Sequence, residues 1–135
     1  MAVLFNLEIF TPSRLFFSGP VESIIMTLSD GDAAVLANHA PFTAPVVPCL
    51  IKICDDQGNW RTAFTAEGIL EVTGEKTVLV SDAAEWPEEI DYEEAKAEIE
   101  EAEETLAGGL FRFETETASA SLRRAKMRLK AIEKN

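Results

Sequence analysis

The chain has 135 residues, enough for one compact domain with an appendage or for two small units. Its 24 acidic residues against 12 basic ones give a formal net charge of −12, and such a surface repels nucleic-acid phosphates and anionic lipid. Nucleic acid is therefore excluded as a partner. Direct membrane insertion is excluded as well, because the longest charge-free stretch, residues 33–51, contains prolines at 41, 45 and 48.

Short stretches rich in alternating apolar and β-branched residues predict strands in the first part of the chain. The predicted strands are residues 3–10, 21–28, 49–54, 60–65, 69–73 and 77–80. Turn-forming sequences separate them, beginning with Ser18-Gly19-Pro20. The three prolines between 41 and 48 place that segment at a sheet edge or in a loop. Strands at this spacing, with no helical pattern between them, indicate an antiparallel β-sandwich or barrel.

The hydrophobic period changes after Trp86-Pro87, and we predict a domain boundary there, with a sandwich in residues 1–86 and a helical hairpin in residues 87–135. Asp91 is a plausible N-cap, and Gly108-Gly109 ends the first helix. Apolar residues at heptad spacing form one seam on each helix. The seams are Tyr92, Ala95, Ile99, Ala102 and Leu106 on the first, and Ala118, Leu122, Ala125, Leu129 and Ile132 on the second. The predicted fold class is α+β, a sandwich followed by an antiparallel two-helix hairpin.

Charge is distributed unevenly between the two predicted helices. Residues 85–107 contain 11 acids and one base, whereas residues 108–135 contain three acids and seven bases. Two interpretations stay open: the helices complement each other within the hairpin, or the second helix can leave and bind another acidic partner. Its basic face comprises Arg123, Arg124, Lys126, Arg128 and Lys130.

No residue pattern indicates an active site. His39 is the only histidine, and neither zinc-ligand spacing, a phosphate-binding glycine loop nor a nucleophile-elbow motif is present. The glutamate runs of the first helix are typical of a solvated helix face rather than of the converging carboxylates that a hydrolase needs. The sequence therefore predicts neither an enzyme nor a metal site.

Four strings, taken in order, resemble one family. They are Phe10-Thr11-Pro12 with the LFFSG that begins at residue 15, GDAAVLANHAPF at 31–42, EGILEV at 67–72, and VLVSDAAEWPEEID at 78–91. Together they are similar to the epsilon subunit of bacterial and chloroplast F-type ATP synthases, which is called delta in mitochondria. The resemblance covers the whole chain. The alternative is an unrelated small adaptor with a sandwich and a coiled-coil tail.

The resemblance implies a non-catalytic rotor subunit of the central stalk. Such a subunit couples gamma to the c-ring, and its C-terminal helices transiently contact the catalytic alpha and beta subunits and inhibit ATP hydrolysis. It is a peripheral membrane protein on the cytoplasmic face of a bacterial membrane, or on the stromal face of a thylakoid. The positions that match the family's c-ring-facing loop are Gly31, Asp32, His39 and Pro41.

The resemblance also implies a degenerate nucleotide site. ATP-binding members carry an Ile/Leu-Asp-x-x-Arg-Ala motif, which matches Ile90, Asp91 and Ala95 here. Glu94 occupies the position of the arginine, and a carboxylate there opposes a phosphate. Arg124 and Arg128 match the family's pair of helix arginines. We therefore expect no bound cofactor and weak ATP binding or none.

Overall fold

The computed structural model describes residues 3–28, 31–38, 40–74, 76–109 and 112–133. The N-terminal part is built of strands, and a short 3-10 helix leads from it into two helices. The strands are β1 (Phe5–Phe10), β2 (Leu15–Leu28), β3 (Gly31–Leu36), β4 (Phe42–Val46), β5 (Cys49–Asp55), β6 (Trp60–Thr65), β7 (Gly68–Val72), β8 (Lys76–Ser81) and β9 (Ala84–Glu85). The 3-10 helix is Pro87–Glu89, and the helices are α1 (Tyr92–Gly108) and α2 (Arg112–Glu133).

Strand β2 belongs to both layers of the sandwich. Its first half pairs with β1, and its second half pairs with β3 and β5. The first layer therefore contains the start of β2 with β1, β8, β7 and β4, and the second contains the end of β2 with β3, β5, β6 and β9. Most side chains in the core between the layers are aliphatic and fully buried. Each of them contributes about 1.5–3 kcal/mol to stability. The core includes Leu7, Ile9, Ile24, Ile51 and Leu79.

The predicted sandwich is confirmed, with two differences in its strands. Strands β1 and β8 pair in parallel, so the sheet is not wholly antiparallel. The turn predicted at Ser18-Gly19-Pro20 is wrong, because β2 continues through it. Pro20 pairs with Asn6 of β1, whereas pairing with β5 begins only at Val21. Pro20 therefore lies where β2 has a partner on one side only, which is the kind of position at which strands tolerate proline.

Residues 31–36 form strand β3 and not the expected loop. This strand pairs along its whole length with the end of β2, from Gly31 with Leu28 to Leu36 with Ser23. Val35 points into the core and is buried, with Ala33 packed beside it. Glycine, aspartate and alanine have low strand propensity, so this segment gives only a weak strand signal in the sequence.

The predicted helical hairpin is confirmed, including both caps of α1. The Asp91 side chain accepts a hydrogen bond from the backbone N–H of Glu94 at 3.1 Å. Gly109 ends the helix in the left-handed region at φ 53°, which glycine adopts without strain. Ala95 and Ala102 of the predicted seam are buried. The prediction that Tyr92 belongs to the seam is wrong, because this residue is 48% exposed. It is the first residue of α1, and its ring and hydroxyl stay in water.

Helix α2 lies between the second layer and α1. It contacts α1 on one side and strands β5 and β6 on the other. On the sandwich side its Ala131 is fully buried, together with Phe64 and Ala66, in a small apolar cluster. Leu50, Ala83, Ile90 and Met127 pack around that cluster. The hairpin is therefore closed, which here means packed against the outer face of the second layer.

Candidate functional site

Arg124 of α2 contacts acidic residues of the sandwich. Its Nε donates a hydrogen bond to Oε1 of Glu67 at 2.6 Å, and its Nη2 lies 3.8 Å from Oδ2 of Asp82. Glu67 lies in the connection between β6 and β7, and Asp82 directly follows β8. This arginine therefore joins α2 to two loops of the sandwich.

Arg128 lies one helical turn further along the same face of α2. Its Nε donates to Oε1 of Glu85 in β9 at 2.8 Å, and its Nη1 donates to Oε2 of Glu98 in α1 at 3.2 Å. Its guanidinium also lies over the ring of Phe64, 4.8 Å from the centroid. Arg128 thus binds three elements at once, and its side chain is only 21% exposed.

The Arg124–Glu67 pair changes the acidity of both groups. The hydrogen bond to Glu67 raises the pKa of Arg124 above its usual value. Burial by itself raises the pKa of Glu67, but the hydrogen bond and charge of Arg124 outweigh burial, so the pKa is below its usual value. Both groups are therefore charged at neutral pH, and each stabilises the charge of the other.

Five of the six residues of the predicted nucleotide site line one cleft. The cleft has a volume of about 130 Å³, which is less than the about 300–1,000 Å³ of typical small-molecule sites. It is lined by Glu85, Glu89, Ile90, Asp91, Glu94, Ala95, Glu98 and Arg128. Arg124 is not among the lining residues, because it extends toward Glu67. Five carboxylates face a single guanidinium in this cleft, and such a lining does not fit a triphosphate.

The segment that joins sandwich and hairpin is fixed to the sandwich. Trp86 stacks on Phe16 of β2 with ring centroids 4.5 Å apart. Oε1 of Glu89 accepts hydrogen bonds from the backbone N–H of Trp86 and from Arg14, both at 2.8 Å. The hydrogen bonds from Arg14 and Trp86 hold the pKa of Glu89 below its usual value. The contacts of Phe16 with Trp86 and of Arg14 with Glu89 join residues that are distant in the chain, and no local pattern predicts them.

The predicted basic face of α2 is divided by the closed hairpin. Arg124 and Arg128 point toward the sandwich, whereas Arg123, Lys126 and Lys130 are exposed. Within the part of the chain that the structure describes, none of these three exposed cations forms an ion pair. Their spacing of three and four residues places them in one stripe on α2.

The residues predicted to face the c-ring are only partly brought together. Gly31 and Asp32 are the first residues of β3 and are exposed, and Pro41 is exposed just before β4. Asp32 lines a shallow cleft with Lys52 of β5 and Lys130 of α2. His39 lies outside the described residues.

The outer face of the first layer carries a row of exposed apolar side chains, here called the apolar row. Its members are paired neighbours across five strands, namely Leu15 with Phe10, Phe10 with Val80, Val80 with Ile69, and Ile69 with Pro45. The four large ones, Leu15, Phe10, Val80 and Ile69, are 36% to 55% exposed. Contiguous exposed apolar surfaces of this kind are typical of interaction sites.

The described ranges bring together no group of three or more side chains that could hold a metal ion. No described helix is both long enough and apolar enough to cross a bilayer.

Comparison with protein families assigns both parts of the chain. Residues 4–87 match the model of the ATP synthase delta/epsilon chain beta-sandwich domain, and residues 88–133 match that of its long alpha-helix domain. The chain belongs to the ATP synthase delta/epsilon family. The family resemblance predicted from the four strings is thereby confirmed.

Delta/epsilon relatives match over nearly their full length. The ATP synthase epsilon chain of Caldanaerobacter subterraneus is 42% identical over 130 residues, which cover 96% of this chain and 94% of that protein. That of Caldicellulosiruptor bescii is 43% identical over 131 residues, covering 97% and 95%. A chain of the Euglena gracilis mitochondrial ATP synthase, solved as OSCP/F1/c-ring, has the same fold, with a TM-score of 0.83 at 19% identity. That match covers 97% of this chain and 82% of the Euglena chain.

Proposed function

We propose that this chain is a non-catalytic rotor subunit of the ATP synthase central stalk, where it couples gamma to the c-ring. Family membership over almost the whole length carries the proposal. Solved chains of the same fold come from assemblies described as an F1/c-ring complex in Euglena and as a central stalk and c-ring in Tetrahymena. As part of this assembly the chain is a peripheral membrane protein, on the cytoplasmic face in a bacterium or the stromal face in a plastid.

The apolar row is the surface that we assign to gamma. The sandwich has two broad outer faces, and the hairpin already covers that of the second layer. The first layer leaves its outer face open, with Phe10, Val80 and Ile69 near its middle. A rigid shaft that must transmit torque needs a stiff, dry contact, and paired strands with a buried core provide a stiff support.

The end of the sandwich at which β3 begins is the surface that we assign to the c-ring. Gly31, Asp32 and Pro41 are exposed in this part of the chain. A carboxylate such as that of Asp32 complements the basic polar loops that the family's c-rings carry. His39 belongs to the same proposal on the family pattern alone.

Regulation is assigned to the hairpin. When α2 leaves the sandwich, its basic residues become available to acidic loops of the catalytic alpha and beta subunits, and the bound helix blocks rotation in the hydrolysis direction. The closed hairpin represents the state in which this contact is absent. Such a switch needs two states in which the same residues of α2 bind different partners.

Gamma binding tests the proposal. A complex of this kind buries about 1,600 Å² in total, and its central apolar residues carry most of the affinity. Ile69→Asp should weaken binding of purified gamma at least about tenfold in calorimetry. Thr43→Asp is the matched control, because Thr43 is exposed on the same sheet face but lies outside the apolar row. If the folded wild-type chain did not bind gamma at all, the unrelated-adaptor alternative would be favoured.

A further inference from the structure

We propose that Arg124 and Arg128 form a latch, and that this latch, by holding α2 to the sandwich, sets the balance between the closed and the open hairpin. Its regulatory meaning rests on the proposed function, whereas its existence can be tested on the isolated chain. The charge asymmetry of the two helices would have placed the ion pairs of α2 on α1. The geometry instead places most ion pairs of Arg124 and Arg128 on the sandwich.

The partners of the two arginines carry the argument. They contact four carboxylates, and three of these belong to the sandwich, namely Glu67, Asp82 and Glu85. Only Glu98 lies on α1. Both shorter contacts, at 2.6 and 2.8 Å, are made to sandwich residues by the guanidinium Nε atoms. Charge-assisted hydrogen bonds of this length are about twice as strong as neutral ones.

The apolar contacts beside the latch are small. On the sandwich side α2 contributes the methyl group of Ala131 and part of Met127 to the cluster around Phe64. On the other side, the α1–α2 seam buries the small side chains of Ala95, Ala102, Ala118 and Ala125. An open surface cleft of about 230 Å³ lies beside it, bordered by Glu98, Glu101, Ala102, Thr105, Thr117, Ala118 and Ser121. Alanines bury little apolar surface, so the arginine contacts add substantially to what holds the hairpin against the sandwich.

The latch makes closed and partner-bound states mutually exclusive. In the closed hairpin the guanidinium groups of Arg124 and Arg128 are engaged by sandwich carboxylates. An external acidic surface must displace Glu67 and Glu85 before it can bind the same two groups. Arg123, Lys126 and Lys130 remain exposed meanwhile, so they can attract such a surface before the latch opens. Opening is therefore a competition between internal and external carboxylates.

Hydrogen exchange on the full-length isolated chain tests the latch. The double variant Arg124→Gln/Arg128→Gln should raise the exchange rates of α2 amides at least about tenfold, while amides of β1 and β8 stay protected. The matched control is Arg123→Gln/Lys126→Gln, which removes two exposed charges of the same helix and should change α2 exchange less than about twofold. Equal exchange in the two double variants would overturn the proposal.

A charge exchange separates the latch from general damage to the helix. Glu67→Arg alone places two cations together and should accelerate α2 exchange, whereas Glu67→Arg with Arg124→Glu should restore most of the protection. If the pair did not restore it, Arg124 would act through helix stability alone and the proposal would be wrong. Neither measurement involves gamma or the c-ring, so a failed latch and a failed assignment to the central stalk give different results.

Discussion

Arg61 lies over the indole ring of Trp86, with its guanidinium carbon 3.6 Å from the ring centroid. The ring of Phe16 also stacks on this indole. The indole is therefore held by a cation from β6 and an aromatic ring from β2. Trp86 packs against the sandwich core although the composition of the chain changes at this residue. The contacts of the sandwich therefore extend past the change in composition, through Trp86 and Glu89.

A chain shortened after Glu85 should be less stable than one shortened after Ile90. The shorter chain loses the indole that covers Phe16 and the carboxylate that pairs with Arg14. We expect a difference of about 2 kcal/mol in the free energy of unfolding, measured by urea denaturation. Equal midpoints and slopes would show that the Trp86 contacts contribute nothing to the fold.

Gly68→Ala should destabilise the sandwich severely. A Cβ at this position would overlap the carbonyl oxygen of Val80 in the neighbouring strand, so the two backbones would have to separate. Gly74→Ala is the control, because nothing lies within 4 Å of its Cβ position. We expect a loss of about 3 kcal/mol or more for Gly68→Ala in thermal unfolding, and a change of less than about 1 kcal/mol for the control.

Acid should open the hairpin through Glu67. Since Arg124 lowers the pKa of this carboxyl in the folded chain, the contact stabilises fully above its unfolded pKa of about 4.3 and is lost as the pH falls through the lower folded value. Protection of α2 should thus be constant from about pH 7 to 5 and decline below about pH 4. Glu67→Gln should reduce protection at neutral pH and flatten this decline. An unchanged acid profile in that variant would assign the decline to other carboxyls.

Isothermal calorimetry of the isolated chain should detect little or no ATP binding. The cleft that would hold the nucleotide contains five carboxylates, and Arg128 is already engaged by Glu85 and Glu98. Glu94→Arg should raise the affinity measurably, and more than Glu94→Gln, which only removes the negative charge. Micromolar binding by the wild-type chain would contradict this expectation.

Removal of residues 108–135 should raise ATP hydrolysis by the assembled enzyme. The same result is expected for Arg123, Arg124 and Arg128 replaced together by alanine, because each variant deprives the catalytic subunits of the basic helix. Synthesis should remain coupled, since the sandwich is untouched. If hydrolysis were unchanged at every ionic strength tested, the hairpin of this chain would be structural only.

Local patterns predicted most of the elements, and their failures have physical reasons. Strands such as β5 and β8 contain several β-branched residues and were predicted, whereas β3 begins with glycine, aspartate and two alanines and was missed. The N-cap of α1 at Asp91 and its C-terminal end at Gly109 depend on residues that are close in the sequence, and both were predicted. The nucleotide-site residues could be named from the family motif, but the small acidic cleft that five of them line could not be predicted.

The partners of Arg124 could not be predicted from the sequence. Its contact with Glu67 joins residues 57 positions apart, and no periodic pattern relates a helix to a loop at that separation. The counted charges suggested that α1, with its many glutamates, would neutralise α2. Acidic residues are less dense along the sandwich sequence, but the fold places three of them beside the two arginines. The position of the acids, rather than their density along the chain, therefore determines which of them pair with α2.

The fixed end of the linker also determines how far the hairpin can extend. Helix α1 has 17 residues and α2 has 22, which at 1.5 Å per residue makes them about 25 and 33 Å long. With Trp86 held in place, a fully straightened hairpin would carry the end of α2 to about 60 Å from the sandwich, whereas α1 alone would cover less than half of that span. Because the indole of Trp86 is fixed to the sandwich, it limits how far from the sandwich the last turns of α2 can bind another protein.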